Sequence, residues 1–102
     1  RLEDMNEIVD LELLNLSNRL KGQELFFKLD DASKEFIIKK GYDEKFGARP
    51  LKRAIERFLE DSLAEAILEG SIKRGENINV SLNDTKDGLL FNQDSLASKA
   101  NH

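Results

Sequence analysis

The stretch Gly41-Tyr42-Asp43-Glu44-Lys45-Phe46-Gly47-Ala48-Arg49-Pro50 and the residues beside it gather positive charge in an otherwise acidic chain. Between positions 39 and 57 seven basic residues (Lys39, Lys40, Lys45, Arg49, Lys52, Arg53, Arg57) stand against three acidic ones, a local balance of +4 where the whole chain carries −4. Pro50 favours a helix start, since its missing N–H would have no partner there anyway. The spacing therefore puts Arg49, Lys52 and Arg53 at a helix N-terminus, where unpaired backbone N–H groups already carry positive partial charge. Glu60, Asp61, Glu65 and Glu69 fall toward its negative end. Each such placement costs about 0.3–1 kcal/mol when exposed, and an i,i+4 pair such as Arg57 with Asp61 returns only about 0.2–0.5 kcal/mol. Stability alone does not account for the pattern, whereas a bound phosphate would make it favourable.

Arg49 is the sharpest candidate. The proline after it disfavours the α region, so its side chain is expected to project from the helix entrance, and Gly47 and Ala48 leave room for close approach. A solvated surface arginine is the alternative. For Lys45, Lys52, Arg53 and Arg57 the solvated or ion-pairing role is the preferred reading, with Lys52 and Arg53 open to nucleotide or interface contacts.

The elements that must position these residues follow from the apolar spacing. Leu2, Met5, Val9, Leu13, Leu16 and Leu20 recur at steps of three and four and predict a helix over 2–20. Ile8, Leu11 and Leu14 lie off that stripe, either widening the core face or forming a second, interface surface. Gly22 ends the helix, and Leu25, Phe27 and Leu29 alternate with Phe26 and Lys28 as a half-buried strand over 24–29. Asp30 is a good N-cap for a short helix over 31–40, with Phe36 and Ile37 facing inward and Gly41 closing it. A third helix starts at Pro50, buries Leu51, Ala54, Ile55, Phe58, Leu59, Leu63, Ala66 and Ile67, and ends at a left-handed cap on Gly70. Ile78, Val80 and Leu82, a turn over 83–88, and Leu89, Leu90 and Phe91 read as a hairpin. Residues 92–102 are small or polar apart from Leu96 and are expected to be disordered, so the domain is expected to occupy 1–91. The fold class is α+β: three main helices on a small three-stranded sheet, in the order helix, strand, helix, helix, strand, strand.

At 102 residues the chain can bury one modest core. It starts at Arg1 with the apolar periodicity already running by Leu2 and Met5, and a segment upstream is expected. The sequence has no apolar run of about 18 residues and no basic-then-apolar leader, so it reads as soluble and, by default, cytoplasmic, with no membrane partner. Without cysteine there is neither disulfide nor thiolate metal site, and His102, the only histidine, has no second ligand nearby, so no metal is expected. With 16 basic against 20 acidic residues, overall attraction for nucleic acid or anionic lipid is disfavoured.

The element order also fits a winged-helix nucleic-acid-binding domain, with the third helix as reader. Its C-terminal half, however, carries Glu60, Asp61, Glu65 and Glu69, and Lys86 in the would-be wing is flanked by Asp84 and Asp87. Those carboxylates would repel a phosphate backbone.

Gly41-Tyr42-Asp43 followed by Phe46-Gly47-Ala48-Arg49-Pro50-Leu51-Lys52-Arg53-Ala54-Ile55 resembles the sensor-2 segment of Clp-type AAA+ unfoldases. Glu60-Asp61-Ser62-Leu63-Ala64-Glu65 and Leu68-Glu69-Gly70 extend the likeness, which runs from about Leu2 to Phe91 in the C-terminal small subdomain of the second ATPase module. The Glu60-Asp61-Ser62-Leu63 wording leans toward the protease-feeding ClpC branch over the disaggregase ClpB, although the family often has proline where Ser62 stands. The resemblance assigns Arg49 to the γ-phosphate of ATP held by a preceding large subdomain, which would also hold Mg²⁺. It implies a homohexamer, protein substrates, a ClpP-type peptidase partner, and use of Ile8, Leu11 and Leu14 at an interface. No Gly-x-x-x-x-Gly-Lys-[Ser/Thr] loop and no acidic strand end for Mg²⁺ occur in this sequence, so the piece alone is not expected to be an ATPase.

Overall fold

The computed structural model describes residues 5–42 and 50–93. Helix α1 spans Met5–Lys21 and buries Met5, Val9, Leu16 and Leu20, while Leu13 packs at the edge of the core. The residues off its stripe stay outside: Ile8 is 38% exposed, Leu11 58% and Leu14 55%. The left-handed residue behind α1 is Glu24 (φ 61°) rather than Gly22. That turn lets the Leu25 N–H reach the Leu20 carbonyl at 3.1 Å and presents the Glu24 carbonyl to the Gly75 N–H at 2.8 Å. Strand β1 is consequently shorter than the alternation suggests, covering Phe26–Leu29, with Leu25 already turned into the core.

Helix α2 (Asp31–Gly41) is tied to the sheet at its start. The Asp30 carboxylate accepts the Ser33 N–H at 2.8 Å and the Ser33 hydroxyl at 2.6 Å, satisfying a donor that helix geometry leaves unpaired. The same fully buried hydroxyl lies 3.1 Å from the carbonyl of Val80, which also receives the Asp30 N–H at 3.1 Å. Replacing Asp30 with alanine is expected to cost about 1–2 kcal/mol in a urea melt, since the cap is lost and a buried hydroxyl loses its better acceptor.

The third predicted helix is continuous but not uniform. It comprises α3 (Leu51–Ala54), a π-helical turn (Ile55–Glu60) and α4 (Asp61–Glu69). Leu51, Ile55, Leu59 and Leu63 are all buried and repeat every four residues, a period that outruns the 3.6-residue turn by about 40° per step. Widening one turn to i→i+5 bonding absorbs this drift and keeps the four side chains on the core. The Asp61 N–H accordingly donates to the Glu56 carbonyl, five residues back. Gly70 caps α4 with φ 82° as expected, its N–H directed at the Ala66 and Ile67 carbonyls.

Strands β2 (Asn77–Leu82) and β3 (Leu89–Gln93) complete a sheet of order β1-β2-β3. β1 pairs parallel to β2, Phe27 opposite Ile78 and Leu29 opposite Val80. Such a pairing needs a long crossover, here α2 and the composite helix. β2 and β3 pair antiparallel, Val80 opposite Phe91. Both the α+β class and the expected element order hold. β3, however, runs past Phe91: the Gln93 side chain accepts the Lys73 N–H at 2.8 Å and donates to the Lys73 and Glu76 carbonyls, fastening the α4–β2 connection. Residues 94–102, where the remainder of the expected disordered tail falls, lie outside the described residues.

In the hairpin turn the Asp87 carboxylate accepts the Thr85 hydroxyl at 2.6 Å and the Asn83 side-chain amide at 2.9 Å. These bonds, Thr85 first, favour the charged form and hold the Asp87 carboxyl below its ordinary value. A group with a lowered folded-state pKa contributes stability above its unfolded pKa and loses it as pH falls through the folded one. In an NMR titration Asp87 is expected to protonate below the usual aspartate value of about 3.9, and Thr85→Val to move its midpoint upward.

Candidate functional site

The positive charge converges where α2 meets α3. Lys39 and Lys40 occupy the last turn of α2 and Lys52 and Arg53 the first turn of α3, all four exposed. The two helices touch almost at backbone distance: a Cβ built on Gly41 would lie 2.6 Å from the Leu51 Cα and 2.8 Å from its Cδ1. Gly41 and Leu51 are both buried. Tyr42 leaves α2 in an extended conformation (φ −94°, ψ 135°) and Pro50 enters α3 at φ −74°, ψ −7°. The Ala54 N–H closes the first turn on the Pro50 carbonyl at 3.0 Å, and proline offers no side chain to cap the N–H groups ahead of it. Lys45, Gly47, Ala48 and Arg49 lie outside the described residues, between these two stems.

The flanking cations are held differently from a solvated face. Phe36 and Phe58 meet edge to face at 5.1 Å. Lys40 Nζ lies 5.7 Å from the Phe36 ring centre and 5.9 Å from that of Phe58, while the Arg57 guanidinium stands 5.2 Å over Phe58. Each contact is worth about 0.5–1 kcal/mol at an exposed site. The i,i+4 spacing of Phe36 and Lys40 was the available sequence signal. Arg57 thus sits over a ring, and the π turn removes the regular spacing that its pairing with Asp61 presupposed.

Lys52 also borders a groove of about 370 Å³ between α1 and the composite helix, with Glu12, Arg19, Ile55, Glu56 and Glu60. Arg19 pairs with Glu60 at 3.3 Å along it. Ile8, Leu11 and Leu14 belong to another face and take no part in the cationic junction. Among the described residues, no cluster of three or more acidic or histidine side chains could hold a metal, and no helix is long and apolar enough to cross a membrane.

Residues 1–80 match the protein-family model for the C-terminal, D2-small domain of ClpB protein. The chain belongs to the ClpB D2-small family. A chaperone protein ClpB from Rhodopseudomonas palustris is 42% identical over 78 residues, covering 76% of this chain and 9% of that protein. Chaperone protein ClpB 2 from Synechocystis is 41% identical over 88 residues, 86% of this chain and 10% of its own length. An ATP-dependent Clp protease ATP-binding subunit ClpA homolog from Cyanidium caldarium is 37% identical over 84 residues, 82% of this chain and 10% of that one. The chain thus spans about a tenth of the length of the curated relatives it matches. The names are those of ClpB and of a ClpA homolog, so they establish the Clp class read from Gly41 to Ile55 without favouring the ClpC branch. As a ClpB D2-small domain, the chain carries its cationic α2–α3 junction on the two sides of residues 43–49.

Proposed function

We propose that this chain is the lid subdomain of an ATP-dependent protein unfoldase, with Arg49 supplying positive charge to the γ-phosphate of ATP held mainly by a preceding large ATPase subdomain. The observation that carries the reading is the α2–α3 junction. Lys52 and Arg53 surround a helix start that Pro50 does not cap, and the Gly41–Leu51 contact fixes the two stems from which the Arg49 segment springs. Exposed cations beside a helix start that has no side-chain cap fit a phosphate.

ATP, with Mg²⁺ held by the large subdomain, supplies the phosphoryl group whose transfer to water releases the driving energy. Arg49 offsets negative charge on that group, and its planar fork suits phosphate oxygens better than an ammonium does. Arg53 adds positive field at the same helix end. The sequence carries no Gly-x-x-x-x-Gly-Lys-[Ser/Thr] motif, and ATP turnover is expected to need the large subdomain. The exposed Ile8, Leu11 and Leu14 pack against a neighbouring subunit of a homohexamer. The domain pivots with nucleotide state, passing hydrolysis into movement of a protein substrate toward refolding or a ClpP-type peptidase.

The test is Arg49→Ala in the full-length ATPase, measuring ATP turnover and ring size together. A large fall in turnover with the ring intact supports the γ-phosphate role. Loss of the ring assigns Arg49 to assembly, and unchanged turnover overturns the reading.

A further inference from the structure

We propose that Asp87-Gly88 is a site of spontaneous aspartate isomerisation, and that Asn83 holds the reaction back for as long as the turn between β2 and β3 is folded. Asp87-Gly88 is the only Asp-Gly pair in the chain, and no Asn-Gly pair occurs. A glycine after aspartate leaves the next peptide nitrogen unshielded by a side chain. In the reaction that nitrogen bonds to Asp87 Cγ, while its proton and the hydroxyl of the neutral carboxyl leave together as water. Water then opens the five-membered imide at either carbonyl. One opening restores aspartate, and the other leaves isoaspartate, whose main chain runs through the former side-chain carboxyl. Asp87 is exposed, so water reaches it.

The folded turn occupies both reacting groups. Asp87 Oδ1 accepts the Thr85 hydroxyl at 2.6 Å and the Asn83 side-chain amide at 2.9 Å. Both bonds favour the carboxylate, which has no hydroxyl to lose. The nucleophile is held by the same asparagine, whose Oδ1 accepts the Gly88 N–H at 3.3 Å and the Asp87 N–H at 3.1 Å. Asn83 is itself fixed at the end of β2, where its own N–H donates to the Gly88 carbonyl at 3.0 Å. This packing also calls for glycine: a Cβ on residue 88 would stand 3.2 Å from Asn83 Nδ2. The side chain that guards the pair is thus the one a larger residue 88 would crowd. Opening the turn frees nitrogen and carboxyl together. Isoaspartate, once formed, adds one atom to the main chain between β2 and β3 and loosens the pairing of Leu82 with Leu89.

The experiment ages the full-length protein at neutral pH, folded and in urea, and reads the isoaspartyl fraction at position 87 by peptide mapping, with a thermal melt for each variant. The folded parent is expected to react at least about tenfold more slowly than the parent in urea, the scale on which one or two hydrogen bonds act on a rate. Asn83→Ala should recover most of that difference in the folded state and Thr85→Val a part of it, while in urea both match the parent. Gly88→Ala should slow the reaction in urea, because its methyl shields the nitrogen. A parent that reacts as fast folded as in urea overturns the guarding role, and so does a folded Asn83→Ala protein that keeps the parent rate. Isoaspartate forming in urea at the parent rate in Gly88→Ala overturns the site itself. If the melt shows that Asn83→Ala does not fold, Thr85→Val, which removes a single hydroxyl bond, is judged by the same comparison.

Discussion

Arg49→Ala in the full-length ATPase is expected to lower ATP turnover by about two orders of magnitude, the scale on which one preorganised charged donor acts at a phosphoryl or oxyanion centre. Two companion results follow from the chemistry of the side chain. Arg49→Lys keeps the charge and loses the planar fork, so its turnover should fall between those of the parent and the alanine variant. The isolated chain should be no less stable without Arg49. A cation beside a helix N-terminus opposes the macrodipole, and removing it should leave the urea midpoint unchanged or raise stability by about 0.3–1 kcal/mol. A variant that lost turnover only because its domain unfolded would show the opposite sign. Measuring both quantities on one substitution therefore separates a functional arginine from a structural one.

Much of the fold was legible because it is written in local chemistry. The step-of-three-and-four stripe of α1, the Asp30 cap, the alternation through Phe27 and Leu29 and the Gly70 cap each involve neighbours within a few residues, and each is where the spacing put it. The departures have physical causes outside that range. Glu24, not Gly22, turns left-handed because its carbonyl has a partner at Gly75, some fifty positions on. The π turn arises from a strict four-residue repeat meeting a flat core, which a search for helical periodicity accepts without registering the drift. Gln93 reads as the polar beginning of a tail and is a clamp on Lys73 and Glu76. At the site the cations were visible in the sequence, as was a glycine before Tyr42. Only the folded chain shows that Gly41 gives room to Leu51 rather than merely stopping a helix.

The two faces of the helices should respond oppositely to the same chemical change. Leu59 is fully buried in the π turn, and Leu59→Ala is expected to destabilise the chain by about 2–5 kcal/mol, read from a urea melt, since the cavity left there is walled by packed neighbours. Against a total of about 5–15 kcal/mol for a domain of this kind, that is enough to leave an appreciable unfolded population. Leu11→Ala removes the same atoms from an exposed position of α1 and is expected to change stability by less than about 0.5 kcal/mol. In the full-length protein the order reverses for assembly: Leu11→Ala, and more so the triple change with Ile8 and Leu14, should weaken the ring in sizing experiments while the isolated domain melts normally. A Leu11→Ala chain that melted as early as Leu59→Ala would make the outer stripe of α1 part of the core. An unaltered ring would withdraw the stripe from the interface, because exposed leucines contribute to stability only through whatever comes to cover them.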